Sequence, residues 1–271
     1  MTMSSILAIF DPTEATDGFA DNVLSVSRTF EAELTLALLA PAPVAGERTY
    51  PRHLTTQKFN ELVEAKEKQL WSLARKENCE VQIFVDLLDA ALSAMVRQSR
   101  CHDMLLVGPI DTFADAELYR ILLQKLLLQS GKPILLLPAA GLEGRPRRLA
   151  VGWDGMRGAT RALDCALMLC APDAEVDLIS VLPLTASPAL RTSADDMCAR
   201  LHARKLRARH SLARSEHASV AATLLAHAVA GNADLIILGG FGHSPIRESL
   251  FGGVTDEIIR NRHTTPILIV H

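Results

Sequence analysis

Three landmarks occur twice in this chain, in the same order. Leu149-Ala150-Val151-Gly152-Trp153-Asp154 repeats the opening run Ile6–Phe10 with its closing Asp11. Asn232–Gly239 repeats His102–Gly108, and Thr265–Val270 repeats Lys132–Leu137. A chain that repeats itself over nearly its full length folds as two copies of one unit. Within the first copy, short apolar runs at 6–10, 34–39, 81–88, 103–108 and 134–137 alternate with helical periodicity over 16–31, 54–76, 90–100 and 116–129. Strands that alternate with helices at this spacing predict a mostly parallel sheet covered on both faces. The stretch 139–148, with Pro146, two glycines and three arginines, reads as the linker between a domain at 1–140 and a second at 147–271.

One part of the second copy departs from the pattern. Residues 192–214 keep helical spacing, with Met197, Leu201, Ala208 and Leu212 on one face, which leaves only about 210–216 for a short third strand. On that helix Arg200, Arg204, Arg207 and Arg214 would form one basic stripe, joined by Lys205 and Arg209.

Composition narrows the class. The apolar share is 49% and the aromatic share only 4%, so the core is built from Leu, Ile, Val and Ala, as in α/β proteins. With 28 basic and 31 acidic side chains, the formal charge is -3 and supplies no general attraction to nucleic acid or membrane. The arginine stripe carries no interleaved aromatics on which bases could stack, so nucleic acid is not an expected partner. The apolar runs are too short to span a bilayer, and the N-terminus has no basic leader. The five cysteines lack CxxC spacing, and reduced thiols in a cytoplasmic protein are expected, with no metal site.

The stretch most suggestive of chemistry is Leu235–Thr255. The apolar run 235–238 meets Gly239, Gly240 and Gly242, and a second glycine pair, Gly252-Gly253, precedes helical spacing with Asp256 and Glu257 in its first turn. Glycines after a strand serve either as turn formers or as a close approach to a ligand. A helix start with exposed N–H groups offers a phosphate site.

The spacing Gly239-x2-Gly242-x9-Gly252 resembles the nucleotide-binding motif of the universal stress protein family. With two αβ units and an aspartate ending the first strand of each, the resemblance extends over essentially the whole chain. It implies an α/β fold of two tandem adenine-nucleotide-hydrolase-like units, each a five-stranded parallel sheet flanked by helices. It also implies an adenine nucleotide, ATP or AMP, with or without Mg2+, at the carboxyl ends of the strands.

Carried over by residue, the resemblance places Asp154 beside the adenine, Trp153 before it, and Val181 where a strand backbone meets the base. Gly239 and Gly242 lie near ribose and phosphates, His243 follows in the same loop, and Gly252, Gly253, Val254 and Thr255 form the phosphate-binding helix start. Asp154 reads equally well as the cap of the next helix. Gly253 departs from the motif, because nucleotide-binding members carry Ser or Thr there. One hydrogen bond to a charged phosphate is worth about 1.5–3 kcal/mol, so binding would survive with less preference for a triphosphate.

The first copy lacks the motif: Gly108-Pro109-Ile110-Asp111 has no second loop glycine, and the helix over 118–128 begins without a glycine pair. It is expected to bind no nucleotide and to act as the pseudo-dimer partner of the second copy. The apolar last strands, 134–137 and 267–270, are edges that the two halves can satisfy in each other, and a further homodimer and an unidentified protein partner are also expected. The function so implied is a stress-response protein that senses an adenine nucleotide. The alternatives are a slow ATPase, for which no P-loop, metal cluster or catalytic triad is visible, and a scaffold that binds no nucleotide.

Overall fold

The computed structural model describes residues 3–14, 18–42, 55–182, 187–215, 218–240 and 253–271. They divide into two compact units, 2–141 and 142–271.

In the first unit the strands are β1 (Ser5–Phe10), β2 (Glu33–Leu39), β3 (Glu80–Phe84), β4 (Met104–Val107) and β5 (Ile134–Leu136). Their spatial order is β3-β2-β1-β4-β5, with parallel pairing among them. Between them run the helices α1 (Gly18–Phe30), α2 (Thr56–Glu77), α3 (Leu88–Ser99) and α4 (Ala116–Gln129). Ile6, Leu7, Ala8 and Ile9 are all fully buried, and β4 is buried along its whole length. Both faces of these strands are covered, so their sequences read as continuous apolar runs rather than alternating ones.

The second unit repeats this order with β6 (Arg148–Gly152), β7 (Glu175–Leu182), β8 (Arg207–Arg214), β9 (Leu235–Gly239) and β10 (Ile267–Val270). The order is β8-β7-β6-β9-β10, again parallel. Its helices are α5 (Arg157–Leu169), α6 (Pro188–Ala203), α7 (Val220–Ala230) and α8 (Gly253–Arg260). Helix α5 packs on β9 and β10, α6 on β8 and α7 on β7. After β6 the chain turns to β7 on one side and later fills β9 on the other. The carboxyl ends of β6 and β9 therefore flank a topological switch point, where open parallel sheets leave a crevice.

The long helix and the short third strand expected over 192–216 are corrected here. Helix α6 ends at Ala203, Lys205 turns the chain at φ 66, and β8 runs from Arg207 to Arg214 in full register with β7. The strand is polar because opposite charges pair across it: Arg207 Nη2 lies 2.6 Å from Glu175 Oε1, and Arg209 Nη2 lies 2.6 Å from Asp177 Oδ2. Cross-strand ion pairs stabilise a ladder that its own apolar content would not predict. The basic stripe thereby dissolves: Arg200 sits on α6, paired to Asp164 at 2.6 Å, Arg204 caps that helix, and Arg207, Arg209 and Arg214 belong to β8. Among the described residues no helix is long and apolar enough to cross a membrane.

Candidate functional site

Strand β6 ends in Gly152, and Trp153 continues its line for one residue by donating its N–H to the Ile179 carbonyl at 2.8 Å. The Trp153 side chain is buried, at 4% exposure, and its indole N–H finds no acceptor among the described residues. Asp154 is exposed. Its Oδ1 accepts the Met156 N–H at 2.8 Å, with Gly155 between them at φ 76. The aspartate thus shapes the approach to α5 while remaining open to solvent, so its local role and a ligand role are compatible.

Val181 lies near the end of β7, past the point where β6 stops. The Ile179 carbonyl faces β6, and backbone groups alternate sides along a strand, so Val181 turns its N–H and C=O toward that same side. Its backbone is thereby presented to the crevice beyond the end of β6.

Gly239 closes β9 on the other flank of the switch point. A Cβ built there would stand 2.4 Å from the Gly158 carbonyl carbon and 2.6 Å from the Ala159 nitrogen. The close approach that requires glycine is therefore the contact with the first turn of α5. Gly253 begins α8 and is exposed, and a Cβ there would meet nothing within 4 Å. Val254 is half-buried, and Thr255 is buried at 4% exposure, so its hydroxyl is withdrawn from solvent. The remaining candidates, Gly242, His243 and Gly252, lie outside the described residues.

Two residues here carry no motif and escaped the sequence reading. Ser180 is buried, and its hydroxyl donates to the Trp153 carbonyl at 2.7 Å while His210 Nε2 lies 3.0 Å from the Ser180 hydroxyl oxygen. The hydroxyl proton is spent on the carbonyl, so His210 donates Nε2–H to the hydroxyl oxygen. Burial holds the His210 pKa below its ordinary value. The chain His210–Ser180–Trp153 ties three strands together directly behind Asp154. Only the register of β7 with β8 reveals it.

The corresponding place in the first unit is built differently. Asp11, the counterpart of Asp154, is 3% exposed, and burial pushes its carboxyl pKa up against the opposing hydrogen bonds from Thr13. Three residues on, Glu14 and Lys66 of α2 form an ion pair at 3.4 Å whose side chains are 2% and 5% exposed. Tyr119 of α4 donates its buried hydroxyl to the Gly108 carbonyl at 3.2 Å. The carboxyl ends of β1 and β4 are thus occupied by the unit's own side chains.

Comparison with known proteins places these features. Residues 146–271 match the model of the Universal stress protein family. A universal stress protein from Archaeoglobus fulgidus DSM 4304 is similar in structure at a TM-score of 0.66 and 14% identity, covering 97% of this chain and 95% of its own. A protein of Pseudomonas aeruginosa UCBPP-PA14 named for the same family gives 0.60 and 14%, covering 99% and 93%. A solved universal stress protein in complex with cAMP is 24% identical and covers 47% of this chain and 98% of its own, at a TM-score of 0.36. No curated protein matches the chain. The second unit is a domain of the universal stress protein family, carried in tandem behind a first unit of the same α/β fold.

Proposed function

We propose that the second unit binds an adenine nucleotide, ATP or AMP, at the carboxyl ends of β6, β7 and β9, and that occupancy regulates a partner interaction in a stress response. The observation that carries this reading is convergence at the switch point. The exposed carboxylate of Asp154, the outward-facing backbone of Val181 and the uncrowded helix start at Gly253 all belong to the carboxyl end of one sheet. Asp154 supplies an acceptor for an exocyclic amine, Val181 a backbone donor and acceptor for the base edge, and the α8 start a partial positive charge for phosphate. The group would bring its own charge and leaving groups, and the chain would hold and orient it. Gly239 supports the reading only indirectly, since packing against α5 already requires a glycine there.

In this account the first unit binds no nucleotide: it lacks the glycine motif, and it buries Asp11, the Glu14–Lys66 pair and the Tyr119 hydroxyl near the carboxyl ends of β1 and β4. The chain holds two tryptophans, so Trp71→Phe isolates the signal of Trp153, which adjoins Asp154. Titration of that variant with ATP and with AMP is expected to change Trp153 fluorescence to saturation, and Asp154→Ala to weaken the response about tenfold. A flat signal together with unchanged elution of protein and nucleotide on a sizing column would refute the proposal.

A further inference from the structure

At the other end of the second unit's sheet, a cleft of about 240 Å³ opens between α7 and the first residues of β6, β7 and β8. Ala150 and Ile179, which share a face with Asp177, and Ala228 of α7 give it apolar walls. Arg148, Glu175 and Arg207 stand in register on three adjacent strands at its mouth, and Asp177 with Arg209 forms the next row. Each of the three arginines commits one side of its guanidinium to a carboxylate. Arg148 Nη2 meets Asp234 Oδ1 at 3.2 Å, Arg207 Nη2 meets Glu175 Oε1 at 2.6 Å, and Arg209 places Nε and Nη2 on Asp177 Oδ2 at 2.9 and 2.6 Å. The Nη1 group of each has no hydrogen-bond partner among the described residues.

Each carboxylate at this mouth is paired with a guanidinium, Asp177 through Oδ2 while its Oδ1 is buried without a hydrogen-bond partner among the described residues, and three guanidinium edges keep donors to spare. His227 of α7 stands 3.6 Å from Asp177 Oδ2. Arg204 and Lys205, exposed in the turn that leads into Arg207, have no ion-pair partner among the described residues. Planar guanidinium groups around an apolar recess suit an anionic headgroup on an apolar body.

We infer that this cleft is a second ligand site, separate from the switch-point crevice, for a small organic anion: a carboxylate or phosphate monoester attached to a compact aromatic or aliphatic group. The apolar body enters between α7 and β7, and the headgroup meets the free edges of Arg148, Arg207 and Arg209. Cross-strand ion pairs alone would account for the arginines but not for the apolar recess behind them.

Two-dimensional amide NMR of the full chain tests this with benzoate, phenyl phosphate, the neutral isostere benzamide, and sulfate, an anion without an apolar body. Benzoate or phenyl phosphate is expected to shift the amides of Val176, Asp177, Ala208 and Gly231 to saturation, with those of Gly239 and Gly253 unmoved, and the tighter of the two identifies the headgroup. Benzamide and sulfate should bind about tenfold more weakly. The double substitution Glu175→Gln with Arg207→Gln keeps the charge balance of an exposed pair and should weaken benzoate about tenfold as well. Equal affinity for benzoate and benzamide, shifts that stay linear to about 10 mM, or an unchanged response in the double variant would overturn the assignment.

Discussion

The Gly158 carbonyl carbon lies 2.4 Å from the point where any side chain at position 239 would place its Cβ, so β9 and the first turn of α5 touch backbone to backbone. Neither partner is the end of a flexible side chain, and relief requires the helix itself to move. Gly239→Ala is expected to destabilise the second unit by about 1–3 kcal/mol even without ligand, as overpacking does. Chemical denaturation of the ligand-free variant measures it, and wild-type stability would show that the contact yields freely.

Gly253 presents the opposite case, since a side chain there meets open space. Gly253→Ser should leave stability within about 0.5 kcal/mol while adding a hydroxyl at the first residue of α8. If phosphates sit at that helix start, the added bond raises affinity for ATP by about 1.5–3 kcal/mol, roughly tenfold to a hundredfold. AMP should gain less if the hydroxyl meets the terminal phosphates. Equal affinities for Gly253→Ser and wild type would place the phosphates elsewhere.

In the first unit, the Lys66–Glu14 pair is almost wholly out of water. Lys66→Met removes the cation that faces a buried carboxylate and is expected to cost about 3–5 kcal/mol, whereas Lys66→Met with Glu14→Gln should recover most of that loss. Hydrogen exchange in β1 and α2 reads the first unit separately from the second. A single variant as stable as the double would mean that the pair contributes nothing.

His102 supplies a pH dependence whose sign is fixed. It is 7% exposed, neither ring nitrogen has a partner among the described residues, and burial holds its pKa below the ordinary 6.5. The unfolded chain therefore binds more protons than the folded one between that lowered value and about 6.5. The stability contributed by the neutral ring is present above about 6.5 and lost as pH falls through the window. His102→Leu should cost less than about 1.5 kcal/mol at neutral pH and remove this part of the acid sensitivity. An unchanged pH profile would contradict the assignment.

The order of strands and helices was readable from the sequence wherever a segment is buried on both faces, as in 6–9, 104–107 and 267–270, because continuous apolar runs have few other homes. Strand β8 was not, since Arg207 and Arg209 owe their strand conformation to Glu175 and Asp177, which lie some thirty positions earlier in the chain. Their spacing on a helical wheel carried no trace of that pairing. At the site, Asp154 and Gly239 were legible as residues of note, but the reason for Gly239 was not. A glycine that avoids a helix and one that admits a phosphate look alike in one dimension. Ser180 and His210 could not have been found at all, because serine and histidine in a strand acquire meaning only from the neighbour that register supplies. Asp11 and Asp154 show the same limit from the other side: they occupy equivalent positions, yet one is buried beside Thr13 and the other is exposed.

The central claim is tested most directly by isothermal titration of protein freed of copurified nucleotide, with ATP and AMP, with and without Mg2+, beside Gly253→Glu, which places a carboxylate in open space at the start of α8. The account predicts saturable binding at one site per chain that Gly253→Glu removes without loss of fold. Absence of heat and of competition at about millimolar nucleotide, or full binding by Gly253→Glu, would contradict it.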